Sequence, residues 1–148
     1  METNTVDLHR VFKTTPGKLY KAYLDPAAMC KWLPPNGFTG EVHLLDARVG
    51  GTYKMSFTNF GTGEQQSFGG EYLELIENEK IVHTDKFDDS SLAGEMKTTI
   101  TFKQVLVGTE VKITQEGIPA AIPAEMCYLG WQESLNLLAL LVEANVPG

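Results

Sequence analysis

His83 and Asp85 stand two positions apart in KIVHTDKF, a segment from Lys80 to Phe87 with the composition of a strand. Side chains two apart on a strand share a face. If that face is covered, the two make a polar pair in an apolar site, able to carry a proton or anchor a ligand. If Val82 and Thr84 take the covered face instead, both charged groups are solvated and inert, and the alternation does not choose. Asp46-Ala47-Arg48-Val49-Gly50-Gly51 is the other distinctive stretch. Its arginine could receive a carboxylate, or could pair with Asp46 or a neighbouring strand while the glycines make a turn or bulge. We read it as scaffold.

Other chemistries lack their residues. His9, His43 and His83 form no HxH or HxxxH pair, so no metal site is expected. The acidic run Asp85, Asp88, Asp89 lacks the glycine and terminal glutamate of a calcium loop. There is no GxSxG, no P-loop and no dinucleotide fingerprint, and the pairs Gly50-Gly51 and Gly69-Gly70 have no following helix to hold a phosphate. No cofactor is expected. Cys30 and Cys127 lie outside any CxxC, have no base beside them in sequence, and are expected as free, partly buried thiols.

A net charge of −7, with 12 Lys and Arg scattered through 148 residues, argues against nucleic acid or an anionic membrane as partner. The N-terminus has no signal-peptide core, and no window approaches the roughly 18 apolar residues of a membrane span. A cytoplasmic location is the expectation. Without repeats or linkers, 1–148 is expected to form one domain.

The elements that must position these residues can be read in order. Val6, Leu8, Arg10 and Phe12 share one side of an opening strand. Thr15-Pro16 begins a helix as N-cap and first residue, with Leu19, Tyr20, Tyr23 and Leu24 on its apolar face. Asp25-Pro26 ends it and starts a second short helix through AAMCKWL, which Pro34-Pro35 stops. From Gly37 to Glu116 the period becomes two, giving strands FTGEVHLLDA, TYKMSFT, SFGGEYLEL, KIVHTDKF, MKTTITFK and EVKITQE. Tyr53, Met55 and Phe57 alternate with Lys54 and Ser56, as Met96, Thr98, Ile100 and Phe102 do with lysine and threonine. Such alternation predicts an antiparallel sheet with one wet face. The final segment, GWQESLNLLALLVE, puts Trp131, Leu135, Leu138 and Val142 on one helical stripe. Leu137, Leu140 and Leu141 widen it beyond the roughly 100° a surface helix buries. A helix of about 22 residues, roughly 33 Å long, would cover the sheet, and a curved sheet would touch more than one of its sides.

This order resembles the START-like helix-grip superfamily and, more narrowly, bacterial homologues of the C-terminal domain of the heat-shock-protein ninety ATPase activator. The stretches that carry the resemblance are VFKTTPGKLYKAYLDPAAMCKWLPP, DARVGGTYKMSF, FGGEYLELIENEKIVHTDKF and GWQESLNLLALLVE. The family pattern DP-x5-W matches Asp25, Pro26 and Trp32. The resemblance implies an α+β, helix-grip (START/Bet v-like) fold: about seven curved antiparallel strands around a long C-terminal helix, two short helices after the first strand, and a cavity between sheet and helix. In that superfamily the cavity often takes a hydrophobic or amphipathic molecule, and in some relatives it is an enzyme site, as in aromatic polyketide cyclisation. The activators carry a further N-terminal chaperone-binding domain, for which this length leaves no room.

The expected ligand-binding residues are Trp32, Phe38, Tyr53, Met55, Phe57, His83, Ile100, Met126, Trp131 and Leu135, with Phe102 on the same sheet face. Trp32 reads equally as a lid anchor packed on the core, and Trp131 as core. Gly130, costly inside a helix by about 1 kcal/mol relative to alanine, makes room for a strand or for a ligand. Three functions follow in order of preference. The first is binding of a small hydrophobic molecule. The second is a cofactor-independent cyclase or hydratase using His83, Asp85 or a pocket tyrosine. The third is a protein-interaction role, as a homodimer or with a chaperone partner.

Overall fold

A computed structural model describes residues 3–147; Met1, Glu2 and Gly148, the ends of the expected 1–148 domain, lie outside the described residues. The helix starts form as their caps dictate. The Thr15 side chain accepts from the Lys18 amide at the head of α1 (Pro16–Leu24), and Asp25 accepts from the Ala27 and Ala28 amides at the head of α2 (Pro26–Trp32). Each has proline in its first turn, where no amide proton is missed.

The strands are β1 (Thr3–Phe12), β2 (Phe38–Leu45), β3 (Thr52–Asn59), β4 (Gln65–Ile76), β5 (Lys80–Phe87), β6 (Met96–Val105) and β7 (Gly108–Pro119). They form a 7-stranded sheet in the order β1-β7-β6-β5-β4-β3-β2, every neighbouring pair antiparallel. A short 3-10 turn, Ser90–Leu92, lies in the β5–β6 connection, where Asp88-Asp89-Ser90 signals a turn, and the Asp89 side chain caps it by accepting from the Ser91 amide. Register shifts at Asn4/Val6, Val42/Leu44 and Tyr72/Glu74 are the irregularities that let a sheet bend. Beside the last of these, a Cβ on Gly70 would lie 1.7 Å from the Thr84 carbonyl oxygen, so only glycine lets β4 approach β5 there.

Helix α3 (Ala124–Val142) has 19 residues, shorter than expected, with Pro123 as N-cap and Glu143 as C-cap lying just outside it. Ser134, Leu135, Leu138, Ala139 and Val142 are buried. Leu137 and Leu141 pack against the core from the flank, whereas Leu140 is exposed, so the broad stripe is covered on one side only. The Ser134 hydroxyl donates to the Leu33 carbonyl (2.6 Å), fastening α3 to the end of α2. Trp32 is fully buried, its indole N–H donating to the Ala22 carbonyl at 2.9 Å.

The outer face of the sheet is not uniformly wet. Ser56, expected beside Lys54 on the solvent side, is 1% exposed, bonded to His43 Nε2 (2.9 Å) and Gln65 Nε2 (3.1 Å). Leu106, at 102%, and Phe60, at 81%, are exposed in strand connections.

Candidate functional site

The concave face of the sheet, α2 and α3 enclose a cavity of about 440 Å³. That volume lies within the range of small-molecule sites. Most of its wall is apolar: Trp32 and Met29 from α2, Met55 and Phe57 from β3, Phe68 from β4, Ile100 from β6 and Trp131 from α3. Phe38 and Met126 also line it and are exposed (39% and 67%), which puts them at its mouth. Gly130 lines it as well, and a Cβ there would meet nothing within 4 Å. The helix lacks a side chain at a point where there is open space for one.

One polar chain crosses the apolar wall. Trp131 Nε1 can only donate, and it donates to Gln115 Oε1 at 3.0 Å, which fixes the orientation of that amide. Gln115 Nε2 then donates to Thr98 Oγ1 (3.1 Å), and the Thr98 hydroxyl gives its proton to Asp85 Oδ2 (2.6 Å). The Tyr53 hydroxyl donates to Asp85 Oδ1. His83 Nδ1 lies 3.2 Å from Asp85 Oδ1 and 3.2 Å from the Thr84 carbonyl. The imidazole is held edge-on to Tyr53 and Tyr72, with ring centroids 5.4 and 6.0 Å away. Cys127 Sγ–H also donates to Gln115 Oε1 (3.3 Å).

Electrostatics follow from this geometry. Burial alone opposes a charge on His83, but Asp85 beside it outweighs that and raises the imidazole above its ordinary 6.5. Burial likewise opposes ionisation of Asp85, yet His83 and the donors Thr98 and Tyr53 outweigh it and hold the carboxyl below its ordinary 3.8. Burial pushes the hydroxyls of Tyr53, Tyr72 and Tyr23 up, so they stay neutral. Burial, with Asp85 nearby, also raises the Cys127 thiol, which disfavours the thiolate a nucleophile needs.

The pH dependence of stability has a definite sign. A raised histidine contributes fully below its ordinary value and loses that contribution as pH climbs through the raised one; a lowered carboxyl contributes above its ordinary value and loses it as pH falls through the lowered one. Stability is therefore expected to be greatest between about pH 3.8 and 6.5 and to decline on the alkaline side as His83 loses its proton. Urea denaturation across pH, run beside His83→Phe, checks this: the variant should lose the alkaline decline. An identical decline in both proteins would contradict it.

The family described as Activator of Hsp90 ATPase homolog 1-like protein matches residues 13–143. The chain belongs to this family. Its fold is START-like, with the seven-stranded sheet, short helices after β1 and C-terminal helix expected of such a member. The crystal structure of a Chromobacterium violaceum protein is 55% identical, with a TM-score of 0.95, over 96% of this chain and 99% of that one. The AHSA1 protein of Silicibacter pomeroyi shares the fold at 20% identity and a TM-score of 0.82, over 95% and 100%. An uncharacterized protein of Schizosaccharomyces pombe is 28% identical over 120 residues, 78% of this chain and 31% of its own length. The chain thus spans about a third of the curated relative it matches.

Within this family member the structure brings together Trp32, Phe38, Tyr53, Met55, Phe57, His83, Ile100, Met126 and Trp131 on the cavity wall. Leu135 is a correction: it is 2% exposed within the packed core and does not line the cavity, because it is turned about 100° around α3 from its neighbour Ser134, which does. Phe102, on the same face of β6, lies beyond the wall under α1, packing on Tyr20 and Tyr23 at centroid distances of 6.1 and 5.4 Å. His83 and Asp85 both face the cavity. Arg48 does not; it pairs with Asp46 (2.8 Å) at the surface, an ion pair of small energetic weight. Sequence reasoning missed Gln115, Thr98 and Tyr72 as site residues. Gln115 had a usable signal, since Val111, Ile113 and Gln115 alternate in one inward set. Among the described residues, no group of three His, Cys, Asp or Glu side chains is arranged to hold a metal ion. No described helix is long and apolar enough to cross a membrane.

Proposed function

We propose that this protein binds a small hydrophobic or amphipathic molecule in the cavity between the sheet and α3. The observation that carries the reading is the space beside Gly130. A cavity of about 440 Å³ stays open there although alanine would serve the helix better by about 1 kcal/mol. Apolar space of this size forfeits packing contacts unless something occupies it.

Native mass spectrometry of the purified protein, followed by organic extraction, tests this together with two variants. Gly130→Ala should be about 1 kcal/mol more stable in urea, since its methyl enters open space. Gly130→Leu should remain folded, intrude into the space and retain less of the bound species. An apo wild type, or an equal load on wild type and Gly130→Leu, would contradict the reading.

A second reading is a cofactor-independent enzyme of cyclase or hydratase type in the same cavity. It is favoured by the inward placement of His83 and Asp85. The extracted molecule is the substrate to assay: its conversion by wild type and not by His83→Phe would support turnover, and unchanged recovery would leave binding alone.

A further inference from the structure

Resting on the binding reading, we infer that the ligand is a neutral molecule with an apolar body and one carbonyl-type oxygen, which accepts a hydrogen bond from His83 Nε2. The donors around Asp85 are already committed. Tyr53, Thr98 and His83 Nδ1 all point at its carboxylate, and Gln115 and Trp131 are locked behind Thr98 in a fixed direction. The Nε2 atom on the far side of the imidazole makes no hydrogen bond among the described residues; the Tyr72 hydroxyl and the Gln66 amide on the wall make none either, but neither carries a charge to strengthen one. Nε2 is also not sealed off: among those residues, the Tyr23 hydroxyl is the one fully enclosed side-chain polar atom without a partner. His83 lines the cavity, so Nε2 is a polar group left facing it.

Charge decides what that nitrogen offers. The ionisable groups on the wall are Tyr23, Tyr53, Tyr72, His83, Asp85 and Cys127, with no lysine or arginine. His83 is the group on the wall able to balance the buried Asp85 carboxylate, so the pair exists as imidazolium and carboxylate, and Nε2 carries a proton to donate. The raised histidine is in keeping with this. Since Asp85 already neutralises that cation, a ligand carboxylate would enter apolar surroundings as a second, unbalanced anion. A carbonyl accepts the same proton without that penalty.

Three naphthalene probes of nearly equal shape separate the possibilities: 2-acetylnaphthalene, 2-ethylnaphthalene and 2-naphthoate. Binding is measured calorimetrically near pH 6, where the imidazole is charged. The ketone should bind wild type about tenfold or more tightly than the hydrocarbon or the carboxylate. In His83→Phe the ketone and the hydrocarbon should bind alike. The infrared stretch of the bound ketone carbonyl should move to lower frequency in wild type relative to His83→Phe, which a purely structural histidine would not produce. Equal binding of ketone and hydrocarbon to wild type would overturn the head-group inference while leaving cavity binding intact. Tighter binding of the carboxylate would overturn its neutrality. Binding of all three probes, undiminished in Gly130→Leu, would remove the cavity reading and this inference with it.

Discussion

Asp85→Ala should cost about 3–5 kcal/mol of folding stability, the usual cost of removing one partner of a buried ion pair. Asp85 is 5% exposed, and its carboxylate is the common acceptor for His83, Tyr53 and Thr98. Its removal takes away the partner that holds the proton on His83, which burial then drives to the neutral form, and leaves two hydroxyls facing an apolar cavity without their acceptor. Asp85→Asn keeps an acceptor oxygen but not the charge, so it should cost less, about 1–3 kcal/mol. Against a typical total of about 5–15 kcal/mol, the alanine variant is expected to be marginal at 25 °C, and urea midpoints read the difference directly. Equal, small losses for both variants would show that the carboxylate does not organise the wall.

The second large effect is expected at Trp32. Trp32→Ala deletes a fully buried side chain and should cost about 3–5 kcal/mol. It also removes the bond from the indole N–H to the Ala22 carbonyl (2.9 Å) and the edge contact with Tyr23, whose ring centroid is 4.7 Å away. That bond joins the end of α2 to α1 across the kink at Asp25-Pro26, so its loss should loosen both helices where they cover the cavity. Trp32→Phe keeps most of the packing and leaves the Ala22 carbonyl without this donor, for an expected cost nearer 1–3 kcal/mol. Thermal and urea unfolding separate the two. Hydrogen exchange of the α2 amides should rise in both, more so in Trp32→Ala; unaltered exchange would make Trp32 mere filling.

The two aromatic anchors illustrate different degrees of legibility. Trp32 follows a capped, proline-started helix and precedes Pro34-Pro35, so its place at the end of a short helix could be read locally. Trp32 is fully buried and also forms part of the cavity wall. Trp131 could be placed on the apolar stripe of α3, but not its hydrogen bond to Gln115, a partner contributed by β7. Leu135 lies on the same stripe and was expected beside it. The stripe marks the buried side of the helix, not which part of that side meets the cavity and which the packed core; Ser134, at the same level, lines the cavity instead.

His83 and Asp85 show why face assignment failed on β5. Alternation separates two sets of side chains but covers neither. Here both sets contain buried apolar residues, Ile81 (1%) on the concave side and Val82 (5%) on the other. Neither composition nor period marks the cavity side. The other strands were easier: on β6, Met96, Thr98, Ile100 and Phe102 stand against lysine and threonine, and that set is buried.

By itself the sequence determined the succession of strands and helices, the capped helix starts, the antiparallel sheet and the C-terminal helix that covers it. These depend on periodicity, caps and turn residues, all of which act over a few positions of chain. The tertiary structure alone decided that His83 and Asp85 face inward, that Ser56 is sealed under His43 and Gln65, and that space remains beside Gly130. Each of those depends on what distant segments place opposite a residue. Covering a face, closing a wall or leaving it open is a property of summed volumes and crossing strands, which local pattern does not contain.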